Sequence, residues 1–160
     1  MAGLASTHFT TGLLDASNAF CLHLIASDRL DIAWRFGLSS GRDRDKFSGL
    51  ETQVAGSGAP LLADCLAWLD CRVIARYDTG DRIYFWADVL AGGRVGTGIP
   101  LTEAGLFAAA DDGQKAALRA SLATDLELHR PLRRQWRERL QGDRGSKGTE
   151  GADPVACRTT

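Results

Sequence analysis

The sequence predicts an α+β domain in which a mainly antiparallel sheet is followed by helices. Its 160 residues suffice for one ordinary hydrophobic core. Residues 66–90 form two runs rich in β-branched and aromatic residues around the turn Asp78-Thr79-Gly80-Asp81, which is typical of a long β-hairpin. Residues 112–140 carry leucines at helical spacing, which indicates an amphipathic helix after the sheet.

Composition and charge exclude several classes of protein. The chain carries 19 Lys and Arg against 20 Asp and Glu, a formal net charge of -1, so it lacks the basic surplus of a nucleic-acid-binding surface. Arginines cluster between residues 130 and 139, but Asp125, Glu127 and Glu138 lie near or among them, so the cluster is interpreted as a solvated helix face. No apolar run approaches the roughly 20 residues needed to span a bilayer, and the first residues lack a signal-peptide pattern. These patterns predict a cytoplasmic protein that binds neither membrane nor nucleic acid.

The first half of the chain is predicted to form short helices and strands in alternation. Ser6 or Thr7 is expected to cap a helix that runs to about Ala16. Residues 19–25 are expected to form a mostly buried strand, and residues 28–38 a second helix capped by Ser27. A short extended segment near residues 51–55 and a turn at residues 56–60 follow.

The second half continues from the hairpin into helices. Glycines at residues 92–98 predict a flexible connection, after which Thr102 is expected to cap a short helix. Pro131 is expected to kink or split the long helix near His129, which is interpreted as a helix-surface residue. The segment 142–160 has almost no apolar content and is expected to be disordered.

No catalytic constellation emerges from the residues alone. The three histidines are far apart without metal-ligand spacing, and no nucleotide-binding glycine motif or nucleophile elbow is present. The segment Ser6-Thr7-His8-Phe9-Thr10 places hydroxyls and unpaired amides at a helix start, which suits an anion. Taken alone, that pattern is better explained by a simple N-cap.

Four stretches together resemble the flavin reductase family of flavin-binding split β-barrels. In order, they are Asp45-Lys46-Phe47, residues 58–62, residues 65–73 and residues 77–85. The resemblance covers about residues 3–101. It implies an incomplete antiparallel split β-barrel over residues 1–101, a helical elaboration over 102–141 and a disordered tail over 142–160.

The resemblance begins partway through the family domain, whose first strands have no counterpart here. We therefore expect either a start codon placed too far downstream or a shortened product. A barrel without those strands is expected to leave unpaired edges and to depend on a partner chain.

The resemblance also implies which residues contact the cofactor. The flavin phosphate is expected at the helix start, and Lys46 is expected to add positive charge while Phe47 forms an apolar wall near the ring. The implied cofactor-binding residues are Ser6, Thr7, His8, Thr10, Lys46 and Phe47.

The hairpin turn departs from the family pattern. Family members typically have Gly-Asp-His, with the histidine where the nicotinamide docks, whereas this chain has Gly80-Asp81-Arg82. Asp81 and Arg82 are therefore expected to face the nicotinamide. Because a guanidinium stays protonated and only donates hydrogen bonds, Arg82 cannot replace a neutral imidazole. An exposed turn arginine without a ligand is the alternative, and the departure weakens the expectation of nicotinamide use.

The function implied by the resemblance is a flavin reductase that transfers hydride from NAD(P)H to FMN or FAD. The family implies a homodimer with the flavin at its interface, and a monooxygenase is a candidate partner. No side chain is expected to act as a catalytic acid or base, because the cofactor performs the chemistry. The alternatives are a non-catalytic FMN-binding or electron-carrier protein and a truncated form unable to bind flavin.

Overall fold

The computed structural model describes residues 1–146, and their elements confirm the predicted α+β class. In chain order they are β1 (Ala2–Ala5), α1 (Phe9–Ser17), β2 (Ala19–Leu24), α2 (Leu30–Gly37), β3 (Thr52–Val54), β4 (Pro60–Leu62), β5 (Ala67–Asp78), β6 (Arg82–Arg94), α3 (Glu103–Ala109) and α4 (Asp112–Ser146). Helix α4 continues through residues 142–146, where disorder was expected. The rest of the predicted tail lies outside the described residues.

The main sheet is antiparallel and has the strand order β1-β6-β5-β2, with β3 and β4 paired separately. The long β5–β6 hairpin occupies the centre, and its register shifts between Asp70 and Cys71 and again between Val73 and Ala75. Such irregularities bend a strand and increase its twist. The sheet curls into a half-barrel, which confirms the predicted incomplete split barrel.

The hairpin is longer than predicted, because two glycines of the expected flexible connection belong to β6. A Cβ at Gly92 would lie 2.8 Å from Leu69 Cδ2, and one at Gly93 would lie 3.0 Å from Trp68 Nε1. Side chains of β5 therefore fold over these glycines, which permit close approach between the strands. The glycine content at residues 92 and 93 reflects packing rather than flexibility.

The hydrophobic core lies between α1 and the concave side of the sheet. Leu14, Ile83 and Phe85 are its buried centre, and Phe85 is 1% exposed. Strand β2 was expected to be mostly buried, and that prediction is wrong, since Leu22 and Leu24 are exposed. As an edge strand, β2 packs only one of its faces against the protein.

Two polar side chains, half-buried His23 and buried Asp70, attach the small β3–β4 sheet to the main one. His23 Nε2 on β2 accepts a hydrogen bond from the Leu62 amide at 3.0 Å. Asp70 on β5 is 1% exposed and accepts a hydrogen bond from the Ser57 amide at 3.0 Å. Because Leu62 and Asp70 are buried, losing either contact leaves a buried amide or carboxylate with one hydrogen bond fewer.

Helix α4 lies across the β5–β6 turn, where Gly80 has φ +85°. A Cβ at Gly80 would lie 2.5 Å from the Leu132 carbonyl oxygen and 2.9 Å from Trp136 Cβ, so only glycine permits this approach. Pro131 lies inside α4, which continues past it, so of the two expected outcomes, a kink or a split, the split does not occur. The carbonyl that it leaves without a partner belongs to exposed Glu127 and can bind water.

Over residues 1–146, no helix combines the length and hydrophobicity that crossing a bilayer requires.

His23 is expected to make stability pH-dependent. Burial lowers the pKa of His23 below its ordinary 6.5, so the unfolded chain binds a proton more readily than the folded one. The free energy of unfolding should therefore fall as the pH drops below 6.5, and urea unfolding between about pH 8 and about pH 5 measures it. In His23→Gln, whose side-chain oxygen can still accept from Leu62, this pH dependence should be smaller. If the free energy of unfolding depended on pH equally in both proteins, the effect could not be assigned to His23.

Gly80→Ala should displace α4, and Gly49→Ala provides a matched control. Both glycines have positive φ, +85° and +74°, so each alanine costs about 1–2 kcal/mol in backbone strain. Only the Cβ at residue 80 also meets α4, since nothing lies within 4 Å of one at residue 49. We expect an additional loss of about 1–3 kcal/mol for Gly80→Ala in urea unfolding. Faster proteolysis within α4 should accompany it, whereas equal behaviour of the two variants would exclude a tight contact.

Candidate functional site

The α1 start (residues 6–10) follows directly after β1. Thr11, 2% exposed, donates its hydroxyl proton to the Ala5 carbonyl at 2.7 Å, and the His8 amide donates to the same oxygen at 3.0 Å. These bonds turn the chain from strand into helix. The N-cap residue is His8, in extended conformation and without a side-chain capping bond, so the prediction of Ser6 or Thr7 as N-cap is wrong.

The hydroxyls expected to cap the helix are used in long-range contacts instead. Ser6 Oγ donates to the Gly80 carbonyl at 2.8 Å, which ties the α1 start to the hairpin turn. Thr7 Oγ1 lies 3.0 Å from His129 Nε2 on α4. His8 Nε2 lies 3.3 Å from Asp125 Oδ2, also on α4.

The first amides of α1 are consequently available to a ligand. Within the described residues, no hydrogen-bond acceptor is found for the amides of Phe9 and Thr10. The Thr10 side chain is exposed in the same turn. Free amides at a helix start carry partial positive charge and favour an anion.

Arg42, from the loop between α2 and β3, adds a formal positive charge to this place. Its Nη2 donates to the Thr7 carbonyl at 3.4 Å, and its guanidinium lies 5.5 Å from the centre of the Phe9 ring. Arg42 was not among the residues predicted from the sequence to contact the cofactor. The clustered charges of residues 42–46 were the available signal, but they do not indicate which arginine folds back.

Lys46 and Phe47 both contact Phe36 on helix α2. Lys46 Nζ donates to the Phe36 carbonyl at 2.8 Å, as a cation does at a helix C-terminus. The rings of Phe36 and Phe47 pack edge to face with their centres 5.1 Å apart. Partial burial, with a smaller contribution from the charge of Arg44, lowers the pKa of Lys46.

Asp81 and Arg82 have different environments although they are adjacent in the turn. Asp81 is 6% exposed, and Arg133 on α4 donates to its Oδ2 from Nε at 3.1 Å and from Nη2 at 2.5 Å. Burial by itself raises the pKa of Asp81, but the hydrogen bonds and charge of Arg133 outweigh it, so the pKa is lowered. Arg82 is exposed. A ligand contact by the Asp81 carboxylate would therefore require Arg133 to move.

His129 is buried at 7% exposure, so its interpretation as a surface residue is wrong. It faces the body of the protein together with Asp125, Leu132 and Trp136, which recur at helical spacing along one side of α4. No local pattern around His129 distinguished this side, because the other face of α4 also carries leucines.

An open groove of about 470 Å³ runs along α4 from Leu126 past His129 to Gln141. Arg130, Arg133, Arg134 and Arg137 line it, and all of its lining residues belong to α4. It is therefore a basic surface groove and not an enclosed ligand pocket. The described residues contain no cluster of side chains suited to hold a metal ion.

The donors around the α1 start fit a flavin phosphate. A phosphate only accepts hydrogen bonds and carries negative charge, and this place offers the amides of Phe9 and Thr10, the Thr10 hydroxyl and the Arg42 guanidinium. Of the two nearby carboxylates, Asp81 has its charge offset by Arg133, and Asp125 is in hydrogen-bond contact with His8.

Comparison with known proteins identifies the same family. The model of the family described as "Flavin reductase like domain" matches residues 1–129. The reductase subunit HsaB of a flavin-dependent monooxygenase from Mycobacterium tuberculosis is 30% identical over 76 residues, which are 48% of this chain and 39% of that protein. A flavin reductase from Pseudomonas putida is 29% identical over 68 residues, 42% of this chain and 38% of that one. These matches span about two fifths of each relative.

A solved structure shares the fold. A homologue of nitrilotriacetate monooxygenase component B from Mycobacterium thermoresistibile has a TM-score of 0.53 and 26% identity, covering 58% of this chain and 50% of that chain. The family match extends over 129 of the 160 residues, through the sheet and as far as His129 on α4. On this evidence, the chain belongs to the flavin reductase-like domain family.

Proposed function

We propose that this chain binds FMN or FAD with a flavin phosphate at the α1 start. The observation that supports this most directly is the uncapped helix, whose Phe9 and Thr10 amides are available while the neighbouring hydroxyls are used elsewhere. Arg42 beside Thr7 supplies the charge that a phosphate requires. Membership of a flavin-handling family makes a flavin the leading candidate for the anion.

The other predicted cofactor residues take different parts in this proposal. Thr7 and Thr10 are proposed to contact the phosphate, whereas Ser6 holds the hairpin turn and His8 holds α4. Lys46 and Phe47 are proposed to border the cofactor farther from the helix. To bind an anion, the Lys46 ammonium group would have to leave the Phe36 carbonyl. Because Lys46 is partly buried, pairing its charge with an anion would offset the cost of that burial.

The proposed activity is NAD(P)H-dependent reduction of the flavin, in which the bound flavin supplies the hydride acceptor. The protein's own contribution is to bind and orient the cofactor and to exclude water. Hydride transfer between two cofactors requires no acid or base from a side chain, so a site of amides, hydroxyls and one arginine suffices. Relatives named flavin reductase and reductase subunit support this proposal.

On the nicotinamide side, the proposal assigns the ligand contact to Arg82. Its exposed guanidinium can donate to an amide oxygen or a cofactor phosphate. Asp81 supports this side indirectly, because its pair with Arg133 holds the turn against α4.

We further propose a homodimer that transfers reduced flavin to a monooxygenase. Exposed apolar side chains on the sheet, including Ile74, Trp86 and Leu90, support an interface between two copies. The monooxygenase partner is supported by relatives named as reductase subunits of such enzymes. A cytoplasmic location, where NAD(P)H is available, is part of the same proposal. Light scattering after gel filtration measures the oligomeric state, and a monomer at all concentrations would contradict the homodimer.

Flavin binding is tested by removing one hydroxyl. Thr10→Val keeps the shape of the side chain but deletes a donor to a charged oxygen, so we expect FMN affinity to fall about tenfold. Titration followed by flavin fluorescence measures the dissociation constant. Thr124→Val is the matched control, because Thr124 is an exposed helix threonine that bonds only to its own helix at Ala120. The control should leave FMN affinity unchanged.

The turnover assay separates the proposed function from its alternatives. Rapid oxidation of NADH or NADPH in the presence of added FMN or FAD would support the reductase. Tight FMN binding with negligible turnover would instead indicate a carrier or FMN-binding protein. Failure to bind either flavin, measured on a protein that unfolds cooperatively, would overturn the proposed function.

A further inference from the structure

We propose that His129 on α4 is a positioning residue of the flavin site, which orients the Thr7 hydroxyl toward the phosphate. This inference rests on the proposed function and adds to it a residue from outside the predicted site. His129 Nε2 lies 3.0 Å from Thr7 Oγ1, although the two residues are 122 positions apart in the chain. Among the three histidines, only His129 is almost completely buried, at 7% exposure.

The position of His129 is set by contacts on either side of it along α4. One turn earlier, Asp125 contacts His8, and one turn later Arg133 is paired with buried Asp81. Between them, the Leu132 carbonyl rests on Gly80, where no side chain could be accommodated. Anchored in both directions, α4 holds the imidazole at Thr7 in a defined place.

The hydrogen-bond chemistry of threonine explains how this contact acts on a ligand. A hydroxyl donates one proton and can accept two hydrogen bonds. When His129 donates its Nε2 proton to Thr7 Oγ1, the hydroxyl proton of Thr7 is free to bond a phosphate oxygen. When His129 accepts instead, that proton is consumed. An anion beside Thr7 stabilises the first arrangement, since only that arrangement gives the anion a donor.

The charges around this pair are arranged so that neither residue is diverted to another partner. Asp125 is in contact with His8, and Asp81 with Arg133, so each of the two nearby carboxylates already has a hydrogen-bond partner. Arg42 contacts the Thr7 carbonyl rather than its hydroxyl. The Thr7 hydroxyl therefore has His129 as its protein partner. When His129 donates to it, the hydroxyl proton of Thr7 remains for a ligand.

The experiment compares FMN with riboflavin, which lacks the phosphate. His129→Leu fills the same space without a donor and should raise the dissociation constant for FMN about tenfold, with less than a twofold change for riboflavin. His129→Gln keeps an amide donor and should stay within about threefold of the wild type for FMN. Gln135→Leu, an exposed polar-to-leucine change on the same helix, is the control and should change neither constant.

A double-mutant cycle then tests whether His129 acts through Thr7. Thr7→Val should weaken FMN binding about as much as His129→Leu does, and the double variant should be no weaker than either alone. Additive losses would show that His129 acts independently of Thr7 and would overturn the inference. Proteolysis within α4 monitors whether the helix stays docked.

The outcomes distinguish this inference from the function on which it rests. If the wild type binds neither FMN nor riboflavin, the proposed function fails and the inference fails with it. If the wild type binds FMN but His129→Leu changes both flavins equally, or neither, only the positioning role is overturned. If His129→Leu weakens binding of FMN but not of riboflavin, and His129→Gln retains FMN affinity, the positioning role is supported.

Discussion

The contact between α4 and the β5–β6 turn is the constraint on which the candidate site depends. Gly80 lets the helix backbone approach the turn, and the Asp81–Arg133 pair holds it there with one buried carboxylate. Without Arg133, the buried Asp81 carboxylate would have no charged partner, and this would destabilise the folded state. Since Thr7 meets His129 on the same stretch of helix, direct contacts join the turn, the α1 start and α4.

This unit changes the electrostatics of α1. A threonine or serine at a helix start normally caps the first amides, but Ser6 bonds to Gly80 and Thr7 to His129. The amides of Phe9 and Thr10 therefore keep their partial positive charge. A helix end without caps is less stable by itself, and the contacts of Ser6, Thr7 and His8 hold the α1 start to the turn and to α4 instead. Stability and the proposed binding function thus depend on the same long-range bonds.

Much of the fold could be predicted from local patterns. The β5–β6 turn appears at residues 78–81 as its Asp and Gly content predicts, and Thr102 caps α3 by accepting a hydrogen bond from the Gly105 amide at 3.1 Å. For the candidate site, the sequence predicted a helix start at residues 6–10, which the structure has, but did not predict that Lys46 contacts α2. Arg42 and His129 were missed, because nothing near them in the sequence marks which way they face.

The order of elements, the hairpin with its turn and the family resemblance follow from the sequence, because strand alternation, helical spacing and capping involve residues within a few positions of one another. The burial of His129, the pairing of Asp81 with Arg133 and the partner of the Thr7 hydroxyl follow from how α4 docks onto the sheet. Those contacts join residues more than 50 positions apart. Their energies depend on burial and on the mutual orientation of whole elements, which no local pattern encodes.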